Sequence, residues 1–170
     1  MASQGNQKLY EINTGTSILS SACVVIVKTA WNAPVVDELE RGCRSILEQH
    51  NLESITTITV PGAVEIPFAV SSYWEASKYI DKKPNRPDVF IALGCVIKGD
   101  TPHFEYVCQS VTQGVTHLNV TLPVPVIFGV LTVNTQEQAD ERLGGIHGHK
   151  GEEAAFTAIQ MISLVKSFKV

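Results

Sequence analysis

The sequence predicts a three-layer α/β/α sandwich built on a central four-stranded parallel sheet, and two observations carry that prediction. Four runs rich in apolar and β-branched residues, ACVVIV (22–27), ITTITV (55–60), VFIAL (89–93) and PVIFGVL (125–131), alternate with segments whose apolar residues recur at helical spacing. Runs that are apolar on both faces belong to strands covered on both sides, which short right-handed strand–helix–strand units provide. At 170 residues and 44% hydrophobic content, the chain can bury one substantial core. Residues 21–170 are therefore read as a single domain. Residues 1–20, a mixture of Gly, Ser, Thr and Asn around Leu9, Tyr10 and Ile12, are read as an N-terminal arm.

The elements follow in order. After the first strand, Asn32 can cap a helix that Pro34 helps to start, and Val35, Val36, Leu39, Cys43, Ile46 and Leu47 give it an apolar stripe. The second strand stops at Pro61-Gly62, and AVEIPFAVSSYWEASKYI reads as a second helix in which Pro67 marks an early kink or a late start. A charged, proline-containing linker at residues 81–88 leads to the third strand. Residues 94–103, GCVIKGDTPH, read as a glycine-bounded loop. Thr101 can cap the helix that follows, and Pro102 suits its first position, where the missing N–H costs nothing. Phe104, Val107, Cys108, Val111, Val115 and Leu118 then recur at helical spacing to about Asn119. Beyond the fourth strand come a short helix capped by Asn134 or Thr135, a glycine-rich turn GGIHGHKG, and an amphipathic helix from about Glu152.

Composition narrows the function. A net charge of −4 gives no basic footprint for nucleic acid, and no Lys/Arg run suggests a membrane surface. A small soluble partner is expected. Cys23, Cys43, Cys95 and Cys108 are scattered without a C-x-x-C pair, as reduced thiols would be, and three fall in predicted core strands or helix faces. With a polar N-terminus and no apolar stretch long enough to span a bilayer, the expected location is cytoplasmic.

In an open parallel sheet, ligands sit beyond the carboxyl ends of the strands. The strand-end segments here carry Trp31 and Asn32, then Gly62, Ala63, Val64 and Glu65, then residues 94–103, then residues 128–132. The free amides of the 94–103 loop suit an anion, and His103 in the first turn of the following helix can carry protons near neutral pH. Each residue also has a plainer reading. His103 could be solvated at a helix start, Trp31 a packing residue, Glu65 a charge favoured near a helix N-terminus, Arg142 a solvated helix residue and Phe128 a core residue. Lys98 is expected to be exposed and not to form a Schiff base. His147 and His149 read as members of a surface turn, with no metal site. His50 and His117 sit on helices without identifiable partners.

Taken together, the pair WN, then PGAVEIP, GCVIKGDTPHFEYV, PVIFGVLT, and EQADERLG followed by HKGEEAA resemble the 6,7-dimethyl-8-ribityllumazine synthase family, and the resemblance covers nearly the whole chain. It implies a flavodoxin-like fold and a cofactor-independent transferase of riboflavin biosynthesis. The reaction condenses 5-amino-6-ribitylaminouracil with 3,4-dihydroxy-2-butanone 4-phosphate, releasing phosphate and water. By position, the resemblance implies that Trp31 stacks on the pyrimidine, while Asn32, Ala63, Val64, Glu65, Val96, Ile97 and Lys98 hold the ring and ribityl chain. Gly99, Asp100 and Thr101 would bind phosphate through the loop, and Arg142, on the short fourth helix of a neighbouring subunit, would clamp it. Phe128 and Lys150, with Glu153 at the edge, would close the pocket from across the interface. His103 would shuttle protons.

The family's pattern often has Asn where this chain has His149 and Ala where it has Leu143, departures that bear on subunit packing more than on chemistry. The resemblance further implies a homo-oligomer, a pentamer or a sixty-subunit shell of pentamers, with active sites between subunits. The short turn between the last two helices and the lack of proline before Pro34 favour the shell; whether riboflavin synthase is a partner stays open. Two other function classes compete: a flavin-binding or storage module, which would need Trp31 and the amides but neither His103 nor Arg142, and a self-assembling scaffold.

Overall fold

The structure, a computed structural model, describes residues 19–79 and 86–168. Residues 1–18 of the predicted arm and 81–85 of the linker lie outside the described residues, while Leu19, at the end of the arm as read, is buried in the core. Four strands, β1 (Cys23–Thr29), β2 (Ser54–Val60), β3 (Val89–Ile97) and β4 (Val126–Val133), form one parallel sheet in the order β2-β1-β3-β4. The helices are α1 (Ala33–Gln49), α2 (Ile66–Ser77), α3 (His103–Thr121), the short α4 (Gln136–Asp140) and α5 (Lys150–Ser167). A small antiparallel hairpin, β5 (Leu143–Gly145) with β6 (Gly148–His149), sits between α4 and α5. The three-layer sandwich and its flavodoxin-like strand order agree with the sequence reading.

Successive strand residues feed opposite faces. Val24, Ile26, Ile91, Leu93, Ile127 and Leu131 pack with α1 and α5, whereas Val25, Val27, Phe90, Ala92, Val126 and Val130 pack with α2 and α3. The α1/α5 face is tight because glycine permits it. A Cβ on Gly151 would stand 2.0 Å from the Leu39 carbonyl oxygen, and one on Gly129 would stand 3.3 Å from the Ala154 Cβ.

Several local expectations are corrected. The loop expected at 94–103 begins later: Gly94, Cys95, Val96 and Ile97 continue β3, paired with Val130 to Val133 of β4, so the loop is residues 98–102. Asn32 adopts a left-handed conformation (φ 58°, ψ 40°) and makes no capping bond; its side chain is used elsewhere. Thr101 does not cap α3, which starts at His103 after Pro102. Pro67 marks a late start, because a 3-10 turn at Ala63–Glu65 precedes α2 and the proline falls in its first turn. Thr135, not Asn134, caps α4, accepting from the Gln138 amide while Gln138 Oε1 accepts from Asn134 N–H. The α5 helix starts two residues before Glu152. Arg142 lies just beyond α4 rather than on it.

Charge reinforces the β1–α1–β2 corner. The Glu40 carboxylate accepts from Lys28 Nζ at 2.6 Å, Arg44 Nε at 2.8 Å and Thr57 Oγ1 at 2.7 Å. Burial alone would push its pKa up, but these bonds, led by Arg44, outweigh burial and hold it down to about 2. A carboxyl whose pKa is lower in the folded state stabilises above its ordinary value and loses that contribution as protons bind. Stability from Glu40, about 3 kcal/mol at most, should therefore be present above about pH 4.5 and disappear as pH falls towards 2. Thermal melts of wild type and Glu40→Gln across this window check it: the variant should lose less stability on acidification, and parallel curves would refute the assignment.

Candidate active site

All four strands of the sheet run the same way, so their carboxyl ends gather at one edge. The order β2-β1-β3-β4 sends the chain outward from β1 to β2, then back across to β3, leaving a crevice where the order reverses. The segment after β1 is fixed on both sides of that crevice. Ala30 and Trp31 donate their amides to the Val60 and Pro61 carbonyls at 2.8 and 3.1 Å, and Thr29 Oγ1 donates to the Trp31 carbonyl at 3.1 Å. On the other side, Asn32 Nδ2 donates to the Cys95 carbonyl at 2.9 Å. With its backbone held, Trp31 still leaves its side chain in the open at 73% exposure, which decides against a packing role. Asn32 reaches across because its left-handed backbone aims the amide at β3.

After β2, the 3-10 turn lays Ala63, Val64 and Glu65 along the same edge, with Ala63 buried and the other two exposed. Open space around Gly62 is limited by Glu65 itself, since a Cβ there would lie 3.1 Å from Glu65 Oε2. After β3, residues 98–102 lead into α3, where His103 is exposed in the first turn. The Glu105 amide donates to the Pro102 carbonyl at 3.1 Å, and the dipole of the helix start favours negative charge. Together these segments enclose a cleft of about 570 Å³ lined by Trp31, Asn32, Ala63, Val64, Glu65, Val96, Ile97, Gly99, Thr101 and His103, among others. That is the volume of a site for a small organic ligand. The titratable side chains on its wall are Glu65, Cys95 and His103. Burial, with the Asp140 charge adding to it, pushes the Cys95 thiol up to about 11, so it stays protonated at neutral pH and is no nucleophile.

Five expected site residues do not line this cleft. Lys98 is exposed, 3.7 Å from Glu105 Oε1 and 6.0 Å from the Phe104 ring centroid, and Asp100 is exposed beside it. Arg142 and Lys150 stand together at the hairpin: Arg142 Nη2 donates to Glu153 Oε2 at 2.8 Å, and Lys150 Nζ lies 3.5 Å from the same oxygen. Arg142 also donates to the His147 carbonyl, so with its side chain 14% exposed it is a braced group, not a solvated one. Phe128 is likewise absent from the wall; it is half-buried on β4, against the α2/α3 side of the core. Among the described residues, no three His, Cys, Asp or Glu side chains gather as a metal would require, and no helix is long and apolar enough to cross a membrane.

Sequence reading missed Thr29, Phe104 and Val107 as cleft residues and misplaced His149. Phe104 and Val107 were legible as helix-stripe positions, but the stripe alone does not say that its first turn overhangs the strand ends. His149 is buried, not part of a surface turn. His50 has partners after all: its Nδ1 lies 2.8 Å from the Ile46 carbonyl, and its ring meets Phe156 edge-on at 5.7 Å.

Comparison with known proteins gives a consistent result. A family model described as 6,7-dimethyl-8-ribityllumazine synthase matches residues 21–166. A protein of that name from Bacteroides fragilis (strain YCH46) is 47% identical over 144 residues, covering 84% of this chain and 95% of its own length. One from Parabacteroides distasonis is 43% identical over 160 residues, covering 93% of this chain and 94% of its own. One from Porphyromonas gingivalis is 46% identical over 141 residues, with 82% and 83% coverage.

Proposed function

Because the chain belongs to the 6,7-dimethyl-8-ribityllumazine synthase family, we propose how its residues divide that family's reaction between them. The activity is the condensation of 5-amino-6-ribitylaminouracil with 3,4-dihydroxy-2-butanone 4-phosphate to 6,7-dimethyl-8-ribityllumazine, with release of phosphate and water. One observation carries the assignment to this cleft: an exposed indole and a helix start that carries a histidine line one cavity of about 570 Å³.

The pyrimidine lies on Trp31, whose flat apolar face stacks on a ring without selecting one charge state. Asn32, Glu65 and the backbone at Ala63, Val64, Val96 and Ile97 supply hydrogen bonds to the ring edge and the ribityl hydroxyls, with Lys98 at the mouth. The phosphate of the four-carbon substrate sits over residues 99–101, where the space around Gly99 is open. The pyrimidine amine then attacks the ketone, water leaves as the imine forms, phosphate is eliminated, and the ribitylamino nitrogen closes the second ring with loss of water. His103 takes and returns the protons of these steps. The amine is the substrate's own, so the protein supplies no covalent nucleophile; holding two reactive partners together accounts for much of the rate.

Arg142, Lys150 and Phe128 act from a neighbouring copy in a pentamer, within a larger shell of pentamers. Two observations support this reading: these residues do not line their own chain's cleft, and Phe68 and Tyr106 stay 77% and 67% exposed.

Mixing purified protein with both substrates and following lumazine fluorescence and phosphate release against an enzyme-free control tests the function. Both products should rise in step and depend on the protein. Tight riboflavin binding with no acceleration would instead make the chain a flavin-binding module.

A further inference from the structure

His149 is 6% exposed, and its ring lies against α1 at Gly42, where a Cβ would stand 2.2 Å from the imidazole Cε1. Its Nδ1 accepts from the amides of Gly151 and Glu152 at 3.2 and 3.4 Å, capping α5. An accepting Nδ1 puts the proton of the neutral ring on Nε2. That nitrogen is buried, has no hydrogen-bond partner, and faces Glu38 Oε1 at 3.6 Å. The ring therefore fastens one short piece of chain to α1.

Arg142 is built on that same piece. Its backbone carbonyl accepts from Lys150 N–H at 2.9 Å, the residue after it pairs with His149 across the hairpin, and its guanidinium is held by Glu153 in the first turn of α5. If the α5 start shifts on α1, the amide, the hairpin pairing and the carboxylate that aim Arg142 all shift with it. The close seat of Gly151 on the Leu39 carbonyl leaves little slack for a partial adjustment.

We propose that His149 is a positioning residue for the reaction: packed on Gly42 and capping α5, it sets the direction of Arg142 and thereby the affinity for the phosphorylated four-carbon substrate. The proposal rests on the reading that Arg142 binds phosphate, so Arg142→Ala is measured beside it. His149→Ala should raise KM for the four-carbon phosphate roughly tenfold, within what a displaced binding group costs, and leave KM for the pyrimidine within about twofold. His149→Asn, whose side-chain oxygen can accept from the same two amides, should recover most of the loss. Gly42→Ala improves helix propensity yet displaces the ring, so it should reproduce the KM split; the double variant Gly42→Ala/His149→Ala should be no worse than His149→Ala alone, because the ring that the new methyl group would strike is gone.

Circular dichroism and gel filtration establish folding and assembly for each variant. If His149→Ala does not fold, His149→Asn and the Gly42 pair decide. Unchanged phosphate KM in the folded His149 and Gly42 variants, or equal rises for both substrates, would overturn the positioning role while a raised phosphate KM in Arg142→Ala left the phosphate reading standing. An unchanged phosphate KM in Arg142→Ala would overturn both.

Discussion

Replacing His103 with alanine is expected to slow turnover by about a hundredfold, the lower end of what a positioned acid–base group contributes. The lower end is appropriate because both substrates are reactive and the cleft still brings them together in the variant. His103 is exposed in the first turn of α3 and lines the cleft, so its loss leaves the core, the Trp31 platform and the loop amides in place. Affinity for the pyrimidine, measured by equilibrium binding, should therefore change little. Full turnover in His103→Ala would remove the proton-transfer role. A joint collapse of binding and turnover would make His103 a contact for the ring instead.

Arg142→Ala is expected to raise KM for the four-carbon phosphate by about 30-fold, the equivalent of a lost charge-assisted hydrogen bond worth about 2 kcal/mol, with KM for the pyrimidine nearly unchanged. The substitution also deprives Glu153 of a partner at 2.8 Å, though Lys150 at 3.5 Å remains beside it. Arg142→Lys separates the two effects. It keeps the charge but not the two-pronged geometry, so it should restore the ion pair and recover only part of the phosphate affinity. Steady-state kinetics with each substrate varied in turn gives the answer. Equal rises in both KM values would assign Arg142 to the architecture of the hairpin.

The layers, the parallel sheet and most of the cleft wall were legible because they rest on local patterns. Val24 to Val27 and Val89 to Leu93 are apolar on both faces, and the strand-end positions of Trp31, Glu65 and His103 follow from where those runs stop. The errors come from partners distant in sequence. Gly94 breaks the β3 pattern, and the pairing of residues 94–97 with Val130 to Val133 of β4 keeps the strand going. Asn32 has the chemistry of a cap but makes its bond to Cys95 across the sheet. The β5–β6 hairpin is too short and too rich in glycine to show a period, and the burial of His149 depends on the missing side chain at Gly42. Arg142 and Phe128 do not line the cleft of their own chain, and on the proposed reading only the assembly would bring them to a ligand.

That division between chains is the centre of the account, and co-assembly of two impaired variants tests it most directly. His103→Ala and Arg142→Ala, coexpressed at equal levels and purified as mixed assemblies, each supply the group that the other lacks. If the cleft of one subunit takes Arg142 from the next, random mixing leaves about a quarter of the sites with both groups intact, and activity at low four-carbon phosphate should recover to about that fraction of wild type. Activity equal to the average of the two separate variants, in assemblies shown to contain both, would mean that His103 and Arg142 serve within a single chain and would contradict the shared site.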